Sequence, residues 1–352
     1  MSSNTVDPAA LPVAPEESRP APAAARAPGL LPAAVVLAPA VAALAALAVH
    51  HFLPNRQVLP VSWLSKLPAW RHPYPVLLEI LLAASLLATL AQGAWRPLGA
   101  WLRYKAPLWA GAIGVLCFWE LITAKLAWMP QPYFPGPDEV FAALVEDRAV
   151  LLESTRHSLV LLLTGYATGV SAGLVTGVLI GWFPRVRYWG MPVLKVVGPI
   201  PATALVPLVM MLSSESFPCA VALIAFAVWF PVTMLTASGI ANVRLSYLDV
   251  ARTLGAGRLY LIFRVAIPSA LPHIFIGLFM GLGASFLTLI VAETIGVKAG
   301  LGWYLLWQKG YAEYAKVYAS LLIMAVFFST LMTLLFLVRD RVLTWQKGVI
   351  RW

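Results

Sequence analysis

The sequence is poor in charge. Of its 352 residues only 11% are Asp, Glu, Lys or Arg, whereas 61% are hydrophobic. A water-soluble domain carries roughly 25% charged residues, so one large soluble core is excluded and most of the chain faces lipid or other apolar helices. Cysteine is almost absent. Cys117 and Cys219 both fall in apolar runs, and no CxxC or Cys/His spacing supports a disulfide framework or a zinc site. The five histidines, His50, His51, His72, His157 and His273, lie mostly at the ends of apolar runs and form no HExxH or ligand cluster. No GxxxxGK[ST] phosphate loop occurs, so the chain has no such site for hydrolysing ATP itself. No nucleophile, base and metal set converges, which removes a membrane enzyme.

Long apolar runs are what the chain has. Spanning a bilayer takes about 20 mostly apolar residues, and eight candidate spans lie near 30–53, 75–95, 106–127, 157–182, 192–212, 217–237, 271–293 and 317–338. The expected fold is an all-α polytopic membrane protein. One long polar connection, 238–270, separates the sixth and seventh spans. Ahead of the first span, residues 1–29 are Ala/Pro-rich, with Pro8, Pro12, Pro15, Pro20, Pro22 and Pro28 and little aliphatic bulk. Such a segment cannot offset its ordering entropy and reads as a disordered tail. It lacks the basic opening and early apolar run of a signal peptide.

The net charge of +10 sits mostly in short connections between spans, which is positive-inside patterning rather than a nucleic-acid surface. Arg96, Arg103 and Lys105, then Arg185 and Arg187, then Arg244, Arg252, Arg258 and Arg264, and finally Arg339, Arg341, Lys347 and Arg351 all fall on one side if both termini are cytoplasmic. The opposite side carries Asp138, Glu139, Glu146, Asp147 and Glu153 against Arg148 and Arg156. Arg56, Lys66 and Arg71, in the first outer loop, run against this pattern.

Within the spans three features stand out. Gly165, Gly169, Gly173, Gly177 and Gly181 repeat every four residues, a spacing that lets helix backbones approach closely in lipid. The fifth span is broken by Pro192, Pro199, Pro201 and Pro207. Irregular backbone at membrane depth needs protein or a cavity to satisfy its carbonyls. Pro199, Pro201 and Thr203, with Ser285 and Thr288 of the seventh span, are therefore candidate solute-path residues, a merely kinked packing helix being the alternative. Ionisable residues fall at Glu79, Glu120, Lys125, Lys195 and Glu293. Lys125 and Lys195 can snorkel, and Glu293 reads as a structural partner rather than a ligand. A secondary transporter driven by an ion gradient would use deep carboxylates and repeated halves. Glu120 is the one deep carboxylate that reading could use.

The polar connection reads Ser246-Tyr-Leu-Asp-Val-Ala-Arg-Thr-Leu-Gly255. Ser246 and Asp249 have capping-box spacing, helix formers follow, and Gly255 supplies a left-handed stop. A second helical stretch, from Arg258 to Val265, runs to Pro268. From the residues alone the element is a short helix able to transmit a push, or an inert interfacial hairpin.

Asp249-Val-Ala-Arg-Thr-Leu-Gly255, nine residues and then Val265-Ala-Ile-Pro268 resemble the EAA loop of bacterial ABC importer permeases: Glu-Ala-Ala, three residues, Gly, nine residues, Ile-x-Leu-Pro. Asp249, Val250, Val265 and Ile267 depart mildly from it. Phe134-Pro-Gly-Pro-Asp-Glu-Val, Pro199-Ile-Pro201, and Ala292-Glu-Thr-Ile-Gly followed by Gly300-Leu-Gly302 are similar to the nitrate/sulfonate/taurine branch. The Ser213-Ser-Glu-Ser216 turn lacks the glycines expected there, and residues 1–105 have no counterpart in that core. The resemblance implies a type I ABC importer-like permease core at 106–352, preceded by two extra spans at 30–105. It implies that Ser246, Asp249, Ala251, Arg252, Leu254, Gly255 and Pro268 couple to a cytoplasmic ATPase. It also implies two ATPase copies, a second permease copy and an external solute-binding protein in a bacterial inner membrane. ATP and Mg would be used by the partner ATPase, with no cofactor or metal on this chain, and the cargo would be a small anionic solute.

Overall fold

The computed structural model describes residues 32–56, 72–91, 96–212, 216–295, 297 and 299–346. The Ala/Pro-rich tail, Lys66, Arg71, residues 213–215, Lys347 and Arg351 lie outside the described residues. Among the described residues seven helices are long and apolar enough to cross a membrane, or eight if one bent pair is a single span.

Three of them pack together first: α1 (Pro32–Phe52), α2 (Pro73–Ala91) and α3 (Arg96–Glu120), the last ending in a wide π turn, Leu121–Lys125. Ala43, Ala46, Tyr74, Leu78 and Ile113 form their core. The third span, grouped by sequence with the permease core, thus packs on the two spans before it. A short helix, α4 (Pro137–Glu146), joins this trio to the rest through Phe141 and through Trp119, whose indole N–H donates to Pro135 O at 3.2 Å.

At that end of the trio lies a buried polar cluster. Lys125 Nζ donates to the carbonyls of His50 and Leu53, at 2.7 and 2.8 Å, and so satisfies the last turn of α1. It also sits 3.5 Å from Glu120 Oε1, which is 2.7 Å from His50 Nδ1. Lys125 does not snorkel: its side chain is 2% exposed and that of Glu120 3%. His72 Nδ1 meets Asp138 Oδ2 at 2.8 Å, tying α2 to α4.

The second unit is built around α5 (Arg148–Trp182), α8 (Ser216–Ala241) and α11 (Ile267–Ile295). The five stripe glycines of α5 all face α8. A β-carbon at Gly165 would lie 2.6 Å from Ile224, at Gly169 2.5 Å from the Ala225 carbonyl, and at Gly173 2.8 Å from Val232. At Gly177 it would meet Thr236 at 2.6 Å and at Gly181 Ile240 at 2.8 Å. Val228 and Val232 of α8, which face this stripe, also meet Gly281 of α11, and Val232 meets Gly277. Tyr166 O–H donates to Leu278 O at 2.9 Å, closing the triangle. A last long helix, α13 (Tyr314–Val342), packs outside and against α4.

The proline-broken span is α6 (Pro184–Val197), a 3-10 turn (Ala202–Leu205) and α7 (Val206–Leu212), bent by 78°. The long connection is shorter than the sequence suggested. α8 runs on to Ala241, and helix resumes at α10 (Arg258–Tyr260), passing through a π stretch, Leu261–Ala266, directly into α11. Pro268 explains the widening. It has no N–H and would clash with the carbonyl four residues back, whereas the π stretch bonds Ile267 N to Ile262 O.

Four substitutions test these contacts. Gly173→Leu should force α5 off α8, a clash of about 1–3 kcal/mol or more, and lower the thermal stability of the purified protein. Gly111→Leu, where nothing lies within 4 Å, should leave it unchanged. Equal effects would remove the close-approach argument. Lys125→Met should cost about 3–5 kcal/mol by leaving Glu120 buried without its cation. Glu120→Gln added to it should recover part of the loss in the same melting assay.

Candidate functional site

Between α8 and α10 lies α9 (Leu245–Thr253). It is the segment that carries the EAA-like pattern. Its start differs from the expected capping box. Arg244 is the N-cap with no side-chain bond, and Ser246 is already inside the first turn. The Asp249 carboxylate instead accepts from Arg252 Nη1 at 3.0 Å. One turn further along the helix Asp249 finds a cation, which a short carboxylate reaches more readily than the N-cap amide.

Its end is a two-bond left-handed cap. Gly255 has φ +83°, its N–H donates to Arg252 O at 2.9 Å, and Ala256 N–H donates to Ala251 O at 3.0 Å. Nothing would touch a β-carbon at Gly255, so its requirement is conformational alone. The chain then turns at Gly257 into the helix that ends in α11.

The surface of α9 is unusual for its apolar exposure. Only Leu248 is buried, packed toward the π stretch. Leu254 is 82% exposed and Leu245 71%, and Tyr247, Val250, Leu259, Tyr260 and Phe263 are bare as well. Arg244, Arg252, Arg258 and Arg264 surround them, all exposed. Beside this patch an open recess of 360 Å³ is lined by Tyr247, Arg264, Val265, Pro268, Ser269 and Trp345. Ala251 is half-buried, and Pro268 lies at the start of α11.

The candidate solute-path residues lie on two elements that touch, α11 and the broken span after α6. Pro199 and Pro201 are exposed at the break after α6, and Thr203 is half-buried in the 3-10 turn. Ser285 and Thr288 are buried, and their hydroxyls donate to Leu282 O and Ala284 O of their own helix, at 2.7 and 2.9 Å. Serine and threonine in a lipid-spanning helix satisfy themselves in this way, so their presence in the sequence did not reveal which way they faced.

At the end of α11 remote from α9 the structure adds a site the sequence only hinted at. Glu293 is 1% exposed. Its Oε1 accepts from Ser158 Oγ of α5 at 2.6 Å, and its Oε2 accepts from Gly302 N at 2.7 Å. Ser158 Oγ also accepts from Leu301 N at 2.9 Å. Leu301 and Gly302 open α12 (Leu301–Gly310), so its first amides are capped by side chains from two other helices. Gly300, at φ +99°, has no room for a β-carbon because the Glu293 carboxylate fills that space. Glu293 is therefore a structural partner, and its partners lie 135 and 9 residues away. The far side of α12 is held by Tyr304, whose hydroxyl donates to Asp147 at 2.6 Å. Burial, and then that carboxylate, push the phenol well above its ordinary range and keep it the donor.

Residues 169–345 match the family described as the binding-protein-dependent transport system inner membrane component. The chain is 30% identical to SsuC of Bacillus subtilis, named for aliphatic sulfonates transport, over 52% of this chain and 67% of that one. It is 29% identical to the taurine transport system permease protein TauC of Escherichia coli, covering 54% of this chain and 72% of that one. It is 28% identical to the bicarbonate transport system permease protein CmpB of Synechocystis, over 62% and 80%. A chain of the inward-facing MetNI methionine ABC transporter aligns over 58% of this chain and 99% of its own, at 16% identity and a TM-score of 0.48, too distant to add to the assignment. The family match spans half the chain, and the chain belongs to that family: it is a multi-pass inner-membrane permease component of a binding-protein-dependent ABC importer, not an ion-gradient-driven transporter.

Proposed function

We propose that α9 is the element through which a cytoplasmic ATPase drives this permease. The observation that carries the proposal is the bare apolar patch of Leu245, Val250 and Leu254 on a helix between spans, ringed by arginines. Apolar surface of that kind outside the membrane calls for a protein partner. Ser246, Asp249, Ala251 and Arg252 lie on the same helix, Gly255 fixes where it ends, and Pro268 begins the span it would push. ATP and Mg belong to the partner, since this sequence lacks a phosphate loop.

In this reading both termini and α9 are cytoplasmic, as the Arg and Lys placement favours. Two copies of the chain pair with two ATPases, because one chain carries a single permease core. Residues 106–352 form that core and the N-terminal helices are an addition to it. The exposed break at Pro199 and Pro201 faces the solute route. The cargo is a small anion, as the names of the sulfonate, taurine and bicarbonate relatives support.

Gly255→Val should abolish the coupling while leaving the spans inserted. The left-handed φ costs a residue with a β-carbon about 1 kcal/mol or more, and β-branching adds to it. Loss of the cap would re-aim Leu254. At matched membrane levels, pull-down of the co-expressed ATPase and tracer uptake should both fall well below wild type. Unchanged capture and uptake would sink the proposal. For the cargo, tracer uptake competed by taurine, an alkanesulfonate, nitrate and bicarbonate should reveal one strong competitor that bears an anionic group, which taurine carries as its sulfonate. Competition by neutral or cationic solutes alone would reject the anion reading.

A further inference from the structure

The two sites just described lie at opposite ends of one helix, and nothing interrupts the path between them. From Arg258 to Ile295 the backbone is continuously helical, through the π stretch. It is bedded along its length on α8, which is itself locked to α5 by the glycine stripe. At its far end α11 does not simply stop beside α12. Glu293 reaches over and holds the first amides of α12, with Ser158 as the shared partner. The carboxylate is nearly sealed from solvent, both its oxygens are bonded, and Gly300 is shaped around it.

We propose that Glu293 and Ser158 are positioning residues that make α12 travel with α11, so that a displacement of α9 is delivered to the opposite face of the membrane as a displacement of α12. This rests on the reading of α9 as the coupling element. A charge-assisted bond from carboxylate to helix N-terminus is short, directional and strengthened by low dielectric. It is therefore a rigid joint rather than a greasy contact. α12 is also tethered through Asp147, which stands between α4 and α5, accepts from Tyr304 and lies 3.5 Å from Lys316 of α13. Its exposed face presents Leu306, Trp307 and Tyr311 outward.

The test uses the full complex with the co-expressed ATPase, in a chain whose Cys117 and Cys219 are replaced by serine. Lys309→Cys, on the exposed end of α12, is labelled with a water-soluble maleimide with and without ATP, Mg and orthovanadate. The labelling rate should change on trapping. With Glu293→Gln or Ser158→Ala added, ATPase capture should persist while the trapping-dependent change is lost. Ser158→Ala keeps the Glu293 bond to Gly302 and guards against a variant that fails to fold. The idea is overturned if trapping leaves Lys309→Cys labelling unchanged in the parent, or if both variants retain the parent's response. Failure of ATPase capture in the parent would instead strike the coupling reading itself.

Discussion

The approach of α5 to α8 is the constraint on which the rest of the structure depends. In lipid there is no hydrophobic drive to press two apolar helices together, so association rests on close packing. Five glycines let side chains of α8, from Ile224 to Ile240, sit directly against the α5 backbone for four helical turns. Any β-carbon there would meet backbone carbonyls as well as side chains, and carbonyls cannot swing away. A pair seated so closely behaves as one body, and α11 joins it through its own glycines and the Tyr166 bond. The functional elements are hung on the two ends of that block.

The two ends satisfy their chemistry in opposite ways. At Glu293 a carboxyl group is buried with both oxygens bonded, so the end is complete within one chain. At α9 large apolar side chains stand in the open, and the one buried contact is Leu248. Leaving Leu254 bare gains nothing for an isolated chain, and under the proposed coupling role the ATPase would cover it. A coupling element needs that asymmetry. It must be rigid in itself, hence the two-bond cap at Gly255, yet incompletely packed, so that a partner can grip it.

The sequence was legible where a pattern is local. The glycine stripe, the proline break and the Gly255 stop are each written in consecutive residues, and so are the apolar spans. Long-range pairings left no such trace. Nothing within the sequence near Glu293 points to Ser158, which lies 135 residues earlier, or to the amides of a ten-residue helix. The capping box failed because the helix starts at Arg244, two residues before Ser246, which leaves Asp249 past the capping position and paired with Arg252. The polar connection was read too long because hydropathy marks where lipid ends, whereas helices run on into water. Ser285 and Thr288 bond carbonyls of their own helix, a pairing that residue type alone does not show.

The N-terminal trio follows a different logic from the core. Its helices touch the remainder mainly through α4, by Phe141, Trp119 and the His72–Asp138 pair, and they are pinned to one another by the buried Lys125, Glu120 and His50 cluster rather than by a glycine seam. Buried ion pairs rarely add much net stability against an apolar alternative, yet breaking one is costly. They therefore fix geometry better than they raise stability. Lys125 makes the point: capping α1 while pairing with Glu120 of α3 allows a single relative placement of the two helices. His72 and Asp138 then carry that placement across to α4, whose neighbour Asp147 holds α12 through Tyr304. An apolar joint could slide by a turn of helix. This one cannot slide without stranding a charge, so the trio holds α4 in register at the same end of the molecule where α11 delivers α12.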